Sequence, residues 1–359
     1  MKLLHIVSAR VWGGGEQYVY NVCKEERRLG NETFILVDEK EDIIAARYQD
    51  VALVLKADLH GLMGLRAVKA VSSLIEDNSI DIVNIHSGNI SLLGILLKKK
   101  FPQLKFIIFR HNYTKNKSDF FNKWLQIHSD AFICVSLFVY KLQIATVQKK
   151  YADKIHYVSS GIDLERFPEN VVVPRREMST YVVGYAGRLT ENKGLLVLLK
   201  ALQTVHQKGY DVKLVITGMP EKDFLPILQD EIHKLDMEKM VKITGLKNDI
   251  NLFYRSLDIF VLPSLVKEAF GLVLCEAMYC HVPVISTDTG AQKEIINNNE
   301  NGLIVKAGNA VALAEAIIGL LSNKEKREDI AQQGYKTVCD KYTISKCVAG
   351  INNIYKSLN

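Results

Sequence analysis

Short runs of apolar residues alternate with longer amphipathic stretches along almost the whole chain. Short apolar runs bounded by polar or turn residues predict buried strands, whereas apolar spacings of three and four residues predict helices. Regular alternation of the two is typical of a parallel sheet that is covered by helices on both faces. The alternation is interrupted once, near the middle, so we predict an α/β protein with two doubly wound, Rossmann-like domains.

Thirteen strands and ten helices follow from this pattern. The predicted strands are Leu3–Val7, Thr33–Val37, Val51–Leu55, Asp81–Ile85, Phe106–Phe109, Ala131–Val135, Ile155–Val158, Tyr181–Ala186, Val212–Thr217, Val241–Thr244, Ile259–Leu262, Val282–Ser286 and Leu303–Val305. The predicted helices are Glu16–Leu29, Leu62–Glu76, Ser91–Lys100, Phe138–Lys149, Lys193–Gln207, Leu225–Lys234, Asp249–Ser256, Leu272–Cys280, Ala310–Ser322 and Ile344–Leu358.

A polar segment with two prolines separates the halves. Pro168 and Pro174 punctuate it, and such composition suits a linker between domains. We predict a first domain over residues 1–168, a linker over 169–180, a second domain over 181–342 and a final helix within 343–359. With no strand after it, that helix could pack back on the first domain. The ligands of doubly wound sheets bind outside the carboxyl ends of the strands, so we expect a cleft between two facing domains.

The composition is that of a soluble globular protein. Hydrophobic residues make up 48% and charged residues 24%, which argues against disorder and against a coiled coil. No apolar run approaches the length of a membrane span, and no cleavage site follows the first strand, so we expect a cytoplasmic protein. The six cysteines include no C-x-x-C pair, which favours buried free thiols over zinc or disulfides.

The positive charge is concentrated in one part of the first domain. Residues 90–160 contain twelve Lys or Arg and three Asp, while the whole chain has a net charge of +6. Such a patch could attract an anionic membrane surface, an anionic acceptor or nucleic acid, and an ordinary solvated helical face is about equally consistent with it.

Two carboxylates flank the junction of a strand and a helix in the second domain. Glu268 is predicted in the loop after a buried strand, and Glu276 lies eight positions later, inside the helix that begins near Gly271. The free N–H groups and positive dipole end of a helix start form a seat for a phosphate. Carboxylates on both sides of such a seat could hold the hydroxyl groups attached to a diphosphate.

Two cations and a glycine loop complete the candidate chemistry. Arg188 and Lys193 follow the first strand of the second domain, where their charges could stabilise a diphosphate leaving group. Gly14 and Gly15 follow the first strand of the chain and precede a helix, which suits close approach to an anion. The G-x-G-x-x-G fingerprint is missing, so an NAD enzyme that uses Asp38 is a minor alternative.

These segments together resemble the retaining glycosyltransferases of family 4, which have the GT-B fold. The resemblance rests on Gly187-Arg188, Lys193-Gly194, Glu268-Ala269-Phe270-Gly271-Leu272 and Glu276-Ala277-Met278, and it extends over nearly the whole chain in family order through the glycine loop with Glu16, Ser160-Gly161-Ile162-Asp163 and Gly302-Leu303-Ile304-Val305. It implies an enzyme with an acceptor-binding first domain and a second domain that binds a nucleotide sugar.

The resemblance also implies roles for individual residues. Arg188 and Lys193 would contact the donor diphosphate, together with Gly14 and Gly15, and Glu276 would bind the ribose. The donor sugar and its phosphates would be held by Glu268 and by backbone groups of Phe270, Gly271 and Leu272, while Leu246 would lie by the base. His111 matches a family histidine near the reacting carbon, and we assign it there with the catalytic residues Arg188, Lys193 and Glu268.

The expected reaction transfers a sugar from a nucleotide diphosphate sugar, with a UDP-sugar favoured, and retains the anomeric configuration. Neither a cofactor nor a metal is expected, because Arg188, Lys193 and the helix dipole replace a divalent ion and no Asp-x-Asp signature occurs. A nucleotide-sugar epimerase, a phosphorylase and an inactive nucleotide-sugar-binding protein are the alternatives.

The acceptor is expected to be a glycan or a lipid-linked molecule of bacterial cell-surface synthesis, such as lipopolysaccharide or capsule, and nucleic acid is not an expected partner. Lysines 98–100 and Lys115 lie near Phe120, Phe121 and Trp124 in the sequence. Basic and aromatic residues together suit peripheral contact with an anionic membrane, although aromatics at helical spacing also occur in cores.

Overall fold

The chain forms two compact units in a computed structural model. The first unit comprises Met1–Gly161 with Ile344–Asn359, and the second comprises Ile162–Thr343. The structure describes residues 1–60, 66–115, 120–171, 180–247 and 249–358, apart from the side chains of Asn89, Ser91 and Phe121.

Thirteen strands occur in the described residues, and each matches a predicted strand with its ends shifted by no more than two residues. They are β1 (Lys2–Ile6), β2 (Glu32–Asp38), β3 (Leu53–Ala57), β4 (Ile82–Ile85), β5 (Lys105–Arg110), β6 (Ala131–Cys134), β7 (Ile155–Tyr157), β8 (Tyr181–Ala186), β9 (Val212–Thr217), β10 (Val241–Ile243), β11 (Ile259–Leu262), β12 (Val284–Thr287) and β13 (Leu303–Val305).

Fourteen α-helices accompany these strands in the described residues. They are α1 (Gly14–Arg28), α2 (Asp42–Tyr48), α3 (Val68–Asn78), α4 (Ser91–Lys100), α5 (Phe120–His128), α6 (Leu137–Ile144), α7 (Leu195–Gln207), α8 (Phe224–Lys234), α9 (Ile250–Arg255), α10 (Leu272–Tyr279), α11 (Gln292–Ile295), α12 (Ala310–Ser322), α13 (Lys324–Lys341) and α14 (Ile344–Ser357). The first residues of the predicted helix Leu62–Glu76 lie outside the described residues.

Each unit contains one parallel sheet, as predicted. The strand order is β3-β2-β1-β4-β5-β6-β7 in the first unit and β10-β9-β8-β11-β12-β13 in the second. In both sheets the order reverses beside the first strand, at β1/β4 and at β8/β11. Such switch points are where doubly wound sheets bind ligands, because the neighbouring loops diverge there. The loops that follow β8 and β11 contain Lys193 and Glu268.

Four of the helices in the described residues were not predicted from the sequence, and α13 shows why. It has 18 residues, but only Ile330, Ala331, Gly334 and Val338 are buried, so the apolar stripe is narrow and the polar residues dominate the pattern. A Cβ atom on Gly334 would lie 3.2 Å from Met278 of α10, so α13 packs closely against that helix. The other three are α2, α5 and the four-residue α11.

The boundary of the first unit differs from the predicted one. It lies after Gly161 rather than at residue 168, because Ile162 and Phe167 are buried in the core of the second unit. Most of the predicted linker, residues 172–179, lies outside the described residues. Helix α14 belongs to the first unit, where Val348, Ile351 and Tyr355 are buried and the helix packs against α1.

Two further features concern the cysteines and the length of the helices. All six cysteines are free, and every one except the partly buried Cys339 is buried, which confirms the expectation of free thiols. Within the described ranges, no helix is both long and apolar enough to cross a bilayer.

Candidate functional site

The loops that follow β8 and β11 are in direct contact. Gly194 has φ +73°, and a Cβ atom there would lie 2.0 Å from the carbonyl oxygen of Pro263. The N–H group of Leu265 donates to the carbonyl of Asn192 at 2.9 Å. Only glycine tolerates both this backbone conformation and this closeness, so Gly194 sets the spacing between the two loops.

Lys193 and Glu268 form an ion pair between these loops. Their Nζ and Oε1 atoms are 2.5 Å apart, and both side chains are mostly buried. Oε1 of Glu268 also accepts a hydrogen bond from the Ser264 hydroxyl. The Glu268 carbonyl accepts from the N–H group of Ala291 at 3.0 Å, so backbone and side chain are both fixed. Because an ammonium has three donors, Lys193 retains capacity for an anionic ligand.

Arg188 lies in the same loop after β8 as Lys193, and its side chain is exposed. Its carbonyl accepts a hydrogen bond from the hydroxyl of Tyr185 at 2.8 Å. Burial raises the pKa of Tyr185 above its ordinary value, with the carboxylate of Glu268 adding to the shift. The phenol therefore remains a neutral donor that holds the Arg188 backbone in place.

Helix α10 begins four residues after Glu268, and its first backbone N–H groups are those of Leu272 and Val273. Gly271 precedes the helix with φ +115°. The first N–H groups of an α-helix have no partner within the helix, so those at Leu272 and Val273 can receive an anion. Phe270 is buried, and its ring packs edge-on against Tyr342 at 5.6 Å between centroids. Phe270 thus anchors the loop through its side chain.

Glu276 lies in a separate cluster with two residues that the sequence analysis missed. Its Oε1 pairs with Nη1 of Arg166 at 3.1 Å, and its Oε2 accepts from the hydroxyl of Tyr254 at 2.7 Å. Burial raises the pKa of Tyr254 well above its ordinary value, and Glu276 adds to this. Arg166 and Tyr254 belong to no recognisable motif, so no sequence signal pointed to either.

Leu246 is 42% exposed on the turn after β10. The preceding carbonyl, that of Gly245, accepts from the Thr217 hydroxyl at 2.8 Å and from the N–H group of Gly218 at 3.0 Å. The loop after β9 therefore fixes this turn. All predicted donor-binding residues of the second unit lie in α10 or in segments that follow β8, β10 or β11 at the carboxyl ends of the strands.

Gly14 and Gly15 lie within the first turn of α1 rather than in the loop before Glu16. A Cβ atom on either would meet no described atom within 4 Å. The helix start is closed by a hydrogen bond from the N–H group of Gly13 to Oε2 of Glu16 at 2.9 Å. No described atom of the unit therefore demands glycine here. The N–H groups of Gly14 and Gly15 have no partner within the helix, so they can receive a ligand. The role of these glycines in donor binding stays a prediction.

His111 follows β5 and joins a row of histidines. Its Nε2 lies 2.9 Å from Nδ1 of His86, and its ring packs edge-on against Tyr18 at 5.1 Å. Burial lowers the pKa of His111 to about 4, so the imidazole is neutral at neutral pH. His86 and a third histidine, His5, were missed because single histidines within or after apolar strands carry no distinctive spacing.

The predicted basic and aromatic surface lies on α4 and α5. Phe120 is 79% exposed and stacks on the partly buried Trp124 at 6.1 Å, while the ammonium of Lys99 lies 4.5 Å from the Trp124 ring centroid. Lys98 is instead paired with Asp130 at 2.9 Å. The Phe121 side chain lies outside the described residues. Phe120 and Lys99 are thus candidates for a surface contact, whereas Lys98 is not.

Two family profiles match adjoining parts of the chain. The profile described as "Glycosyl transferases group 1" matches residues 167–337, and the one described as "Glycosyltransferase Family 4" matches residues 12–166. A relative in Staphylococcus aureus, the capsular polysaccharide biosynthesis glycosyltransferase CapM, is 32% identical over 190 residues. That match covers 52% of this chain and spans half of the length of CapM.

Solved structures resemble the chain over its full length. A glycosyltransferase from Rickettsia africae is 23% identical, with a TM-score of 0.87 and coverage of 99% of this chain and 98% of that one. The Anabaena protein HepE, crystallised with UDP, is 19% identical, with a TM-score of 0.84 and coverage of 99% and 100%. At these identities the likeness establishes the fold, and it confirms the expected GT-B class.

Proposed function

Because the chain belongs to the glycosyltransferases of group 1 and family 4, we propose that it transfers a sugar from a nucleotide diphosphate sugar to an acceptor hydroxyl with retention and without a metal ion. The observation that carries this proposal is the Lys193–Glu268 ion pair at the switch point of the second sheet. A cation and a carboxylate are thereby held in fixed positions, in loops that also lead into the start of α10.

The donor would be bound by groups that the second unit already orients. Lys193 and Arg188 would contact the diphosphate, and the backbone of Phe270, Gly271 and Leu272 would hold the sugar phosphate beside Glu268. Glu276 would bind the ribose. A carboxylate has about four lone-pair sites, and Arg166 and Tyr254 occupy two of those on Glu276, so sites remain for ribose hydroxyls. Leu246 would lie beside the base.

The leaving group would be stabilised by fixed positive charge. As the bond between the anomeric carbon and the phosphate oxygen breaks, negative charge grows on the diphosphate, where Lys193, Arg188 and the dipole of α10 would oppose it. These groups would supply the positive charge that a bound divalent ion supplies in metal-dependent enzymes.

Retention would follow from departure and attack on the same face of the sugar. The acceptor oxygen would form the new bond to the anomeric carbon, and its proton would pass to the departing phosphate oxygen. Glu268 is an unsuitable nucleophile for a double displacement, because Lys193 and Ser264 both donate to its Oε1. An oxygen that accepts two hydrogen bonds has its lone pairs occupied, which opposes attack on the anomeric carbon.

The relatives support a narrower choice of substrates. HepE was crystallised with UDP, and CapM takes its name from capsular polysaccharide synthesis. We therefore expect a UDP-sugar as the donor and a cell-surface glycan or its lipid-linked precursor as the acceptor, without any further cofactor.

A panel of UDP-, GDP- and ADP-sugars tests the reaction. Release of free nucleotide is measured with a mixture of glycan acceptors, in the presence and absence of a chelator, and the anomeric configuration of the product is assigned by NMR. We expect release from one nucleotide class, unchanged by the chelator, with retention. Inversion, or a rate abolished by the chelator and restored by Mg²⁺, would contradict the corresponding part of the proposal.

Substitution of Lys193 tests the catalytic assignment. Lys193→Met keeps the length of the side chain and removes its charge, and we expect kcat to fall at least about a hundredfold, as for loss of one fixed group at a developing charge. Lys200→Met is the matched control, since Lys200 lies on α7 and is paired at 3.6 Å with Glu231. Undiminished turnover in Lys193→Met would favour an inactive nucleotide-sugar-binding protein or a different catalytic group.

Contact with an anionic membrane is a separate part of the proposal. It rests on the exposed ring of Phe120 and the ammonium of Lys99 above Trp124. Sedimentation with phosphatidylglycerol vesicles at low and high salt tests it. Phe120→Ser is the variant, and Val311→Ser, at a residue of α12 that is 64% exposed, is the control. Binding at low salt that weakens in Phe120→Ser is expected, and absence of binding by the wild type would exclude this surface.

A further inference from the structure

Four side chains, three of them buried and the fourth, His111, partly buried, form a continuous hydrogen-bonded row in the first unit. Nε2 of His111 lies 2.9 Å from Nδ1 of His86, and Nε2 of His86 lies 2.9 Å from Nδ1 of His5. Nε2 of His5 lies 2.8 Å from Oε2 of Glu26. The side chains come from β1, α1 and the segments that follow β4 and β5, so the tertiary fold alone aligns them.

The far end of the row is fixed by the C-terminal helix. The hydroxyl of Tyr355 accepts from Nδ2 of Asn84 at 2.8 Å and donates to Oε1 of Glu26 at 3.2 Å. Tyr355, Asn84, His5 and Glu26 are all fully buried. Since a hydroxyl has one proton, its bond from Asn84 leaves that proton for Glu26, and Oε1 of Glu26 must be an acceptor.

A charged Glu26 determines the proton positions along the whole row. The carboxylate can only accept, so His5 donates from Nε2 and its Nδ1 becomes an acceptor. His86 must then donate from Nε2 and accept at Nδ1, and His111 must donate from Nε2. The Nδ1 atom of His111 is left as an acceptor, which suits the hydroxyl group of a sugar.

The surroundings of the row favour neutral imidazoles at His86 and His111. Burial lowers the pKa of His86 well below its ordinary value, with His5 and His111 adding to the shift. The titratable groups that face Glu26 from α1 and α14 are Tyr18, Cys23, Cys347 and Tyr355. Burial raises the pKa of each of them, so all four are neutral at neutral pH.

We propose that Glu26, His5 and His86 are positioning residues that hold His111 as the tautomer protonated at Nε2, with Nδ1 as the acceptor for a hydroxyl group of the bound sugar. The link to sugar transfer rests on the proposed function, whereas the tautomer does not. Without the carboxylate the row can reverse. A protonated or amide side chain at position 26 can donate to His5, and each histidine then donates in the opposite direction, which leaves Nδ1 of His111 as a donor.

The tautomer can be measured on the full-length protein without any substrate. Long-range ¹H–¹⁵N NMR distinguishes protonated from unprotonated ring nitrogens, and His111→Asn assigns the signals. At neutral pH we expect His111 to be protonated at Nε2 and bare at Nδ1. A His111 protonated at Nδ1 in the wild type would overturn the proposal, whether or not the protein transfers a sugar.

Glu26→Gln tests the control exerted by the carboxylate, and Glu25→Gln is the matched control. Glu25 is the adjacent residue on α1 and pairs with Arg28 outside the row. We expect Glu26→Gln to give mixed His111 signals and to lower kcat/KM for the donor roughly two- to tenfold, the effect of one neutral hydrogen bond. Glu25→Gln should change neither.

The outcomes separate the two hypotheses. If Glu26→Gln folds and the His111 signals stay those of the wild type, the carboxylate does not set the tautomer and the proposal is wrong. If the tautomers change as expected but the wild type transfers no sugar from any donor, the row exists and the proposed function fails. If Glu26→Gln does not fold, the wild-type spectrum still decides the matter.

Discussion

At the scale of single residues, the carboxylates of the second unit differ in what holds them. Glu268 is pinned by a cation and a hydroxyl on its Oε1, while Glu276 receives a guanidinium on one oxygen and a phenol on the other. Both arrangements fix the carboxylate before any ligand arrives. Preorganised groups lose less conformational freedom on binding, which favours affinity and correct placement.

Tyr254→Phe tests the preorganisation of Glu276. It removes one donor from a carboxylate that is only 7% exposed, so we expect the free energy of unfolding to fall by about 1–3 kcal/mol and the donor KM to rise severalfold with little change in kcat. Urea denaturation and steady-state kinetics provide the two measurements. Tyr210→Phe, at a partly buried tyrosine just before β9, is the control and should change neither value appreciably.

Residue types were easier to predict than their partners. The positions of Glu268, Arg188 and Lys193, between a strand and a helix, can be recognised from the order of the residues. Glu276 can likewise be placed inside the helix that follows. Arg166 is 110 positions away from Glu276, its ion-pair partner, so no local sequence pattern predicts their contact.

At the scale of elements, the loops after β8 and β11 pack against each other and together position the Lys193–Glu268 ion pair. Gly194 allows the first loop to press on Pro263 of the second, and it directly follows Lys193. Lys193 then reaches Glu268 across the contact. The separation of these loops therefore controls the geometry of the ion pair.

A comparison of Gly194→Ala with Gly209→Ala distinguishes the cost of backbone strain from the cost of a steric clash with Pro263. Both glycines have positive φ, at +73° and +89°, but a Cβ atom meets Pro263 in the first case and no described atom within 4 Å in the second. Each substitution should cost about 1–2 kcal/mol of stability from the left-handed backbone. Gly194→Ala should cost about 1–3 kcal/mol more from overpacking and should also lower kcat.

Thermal denaturation and turnover at a saturating donor concentration make this comparison. Equal losses of stability in the two variants, with full activity in both, would show that the loop contact does not position Lys193.

The start of α1 and the existence of α13 were predicted wrongly because contacts outweigh local propensity in both helices. The helix α1 begins at Gly14 rather than Glu16, because Glu16 caps the turn through the N–H group of Gly13 and draws both glycines into the helix. Propensity alone disfavours glycine in a helix. In α13, contact with α10 stabilises a helix whose own apolar pattern is weak.

At the scale of the whole molecule, the first unit is assembled from two distant parts of the chain. Helix α14 supplies the fully buried side chains of Val348, Ile351 and Tyr355 to a core made otherwise of residues 1–161. Burying each large apolar side chain contributes about 1.5–3 kcal/mol. Since domains are stable by only about 5–15 kcal/mol, the helix supplies much of what the unit needs.

Fragments of the chain test this dependence. We expect residues 162–343 to unfold cooperatively on their own, and residues 1–161 to fold only when a peptide of residues 344–359 is added. Circular dichroism during urea titration reports both. The control peptide contains Ile351→Asp, which places a charge in the buried face and should not restore folding. Cooperative unfolding of residues 1–161 without any peptide would contradict the expectation.

The order of residues along the chain was sufficient for the thirteen strands, the two wound sheets and the loops on which Glu268, Lys193 and Arg188 lie. Hydrophobic periodicity and turn chemistry are local, so they can be recognised without coordinates. The partners of these groups depend on contacts between distant segments. Arg166 and Tyr254 at Glu276, the pairing of Lys193 with Glu268, and the row from Glu26 to His111 exist only once the strands are ordered within their sheets.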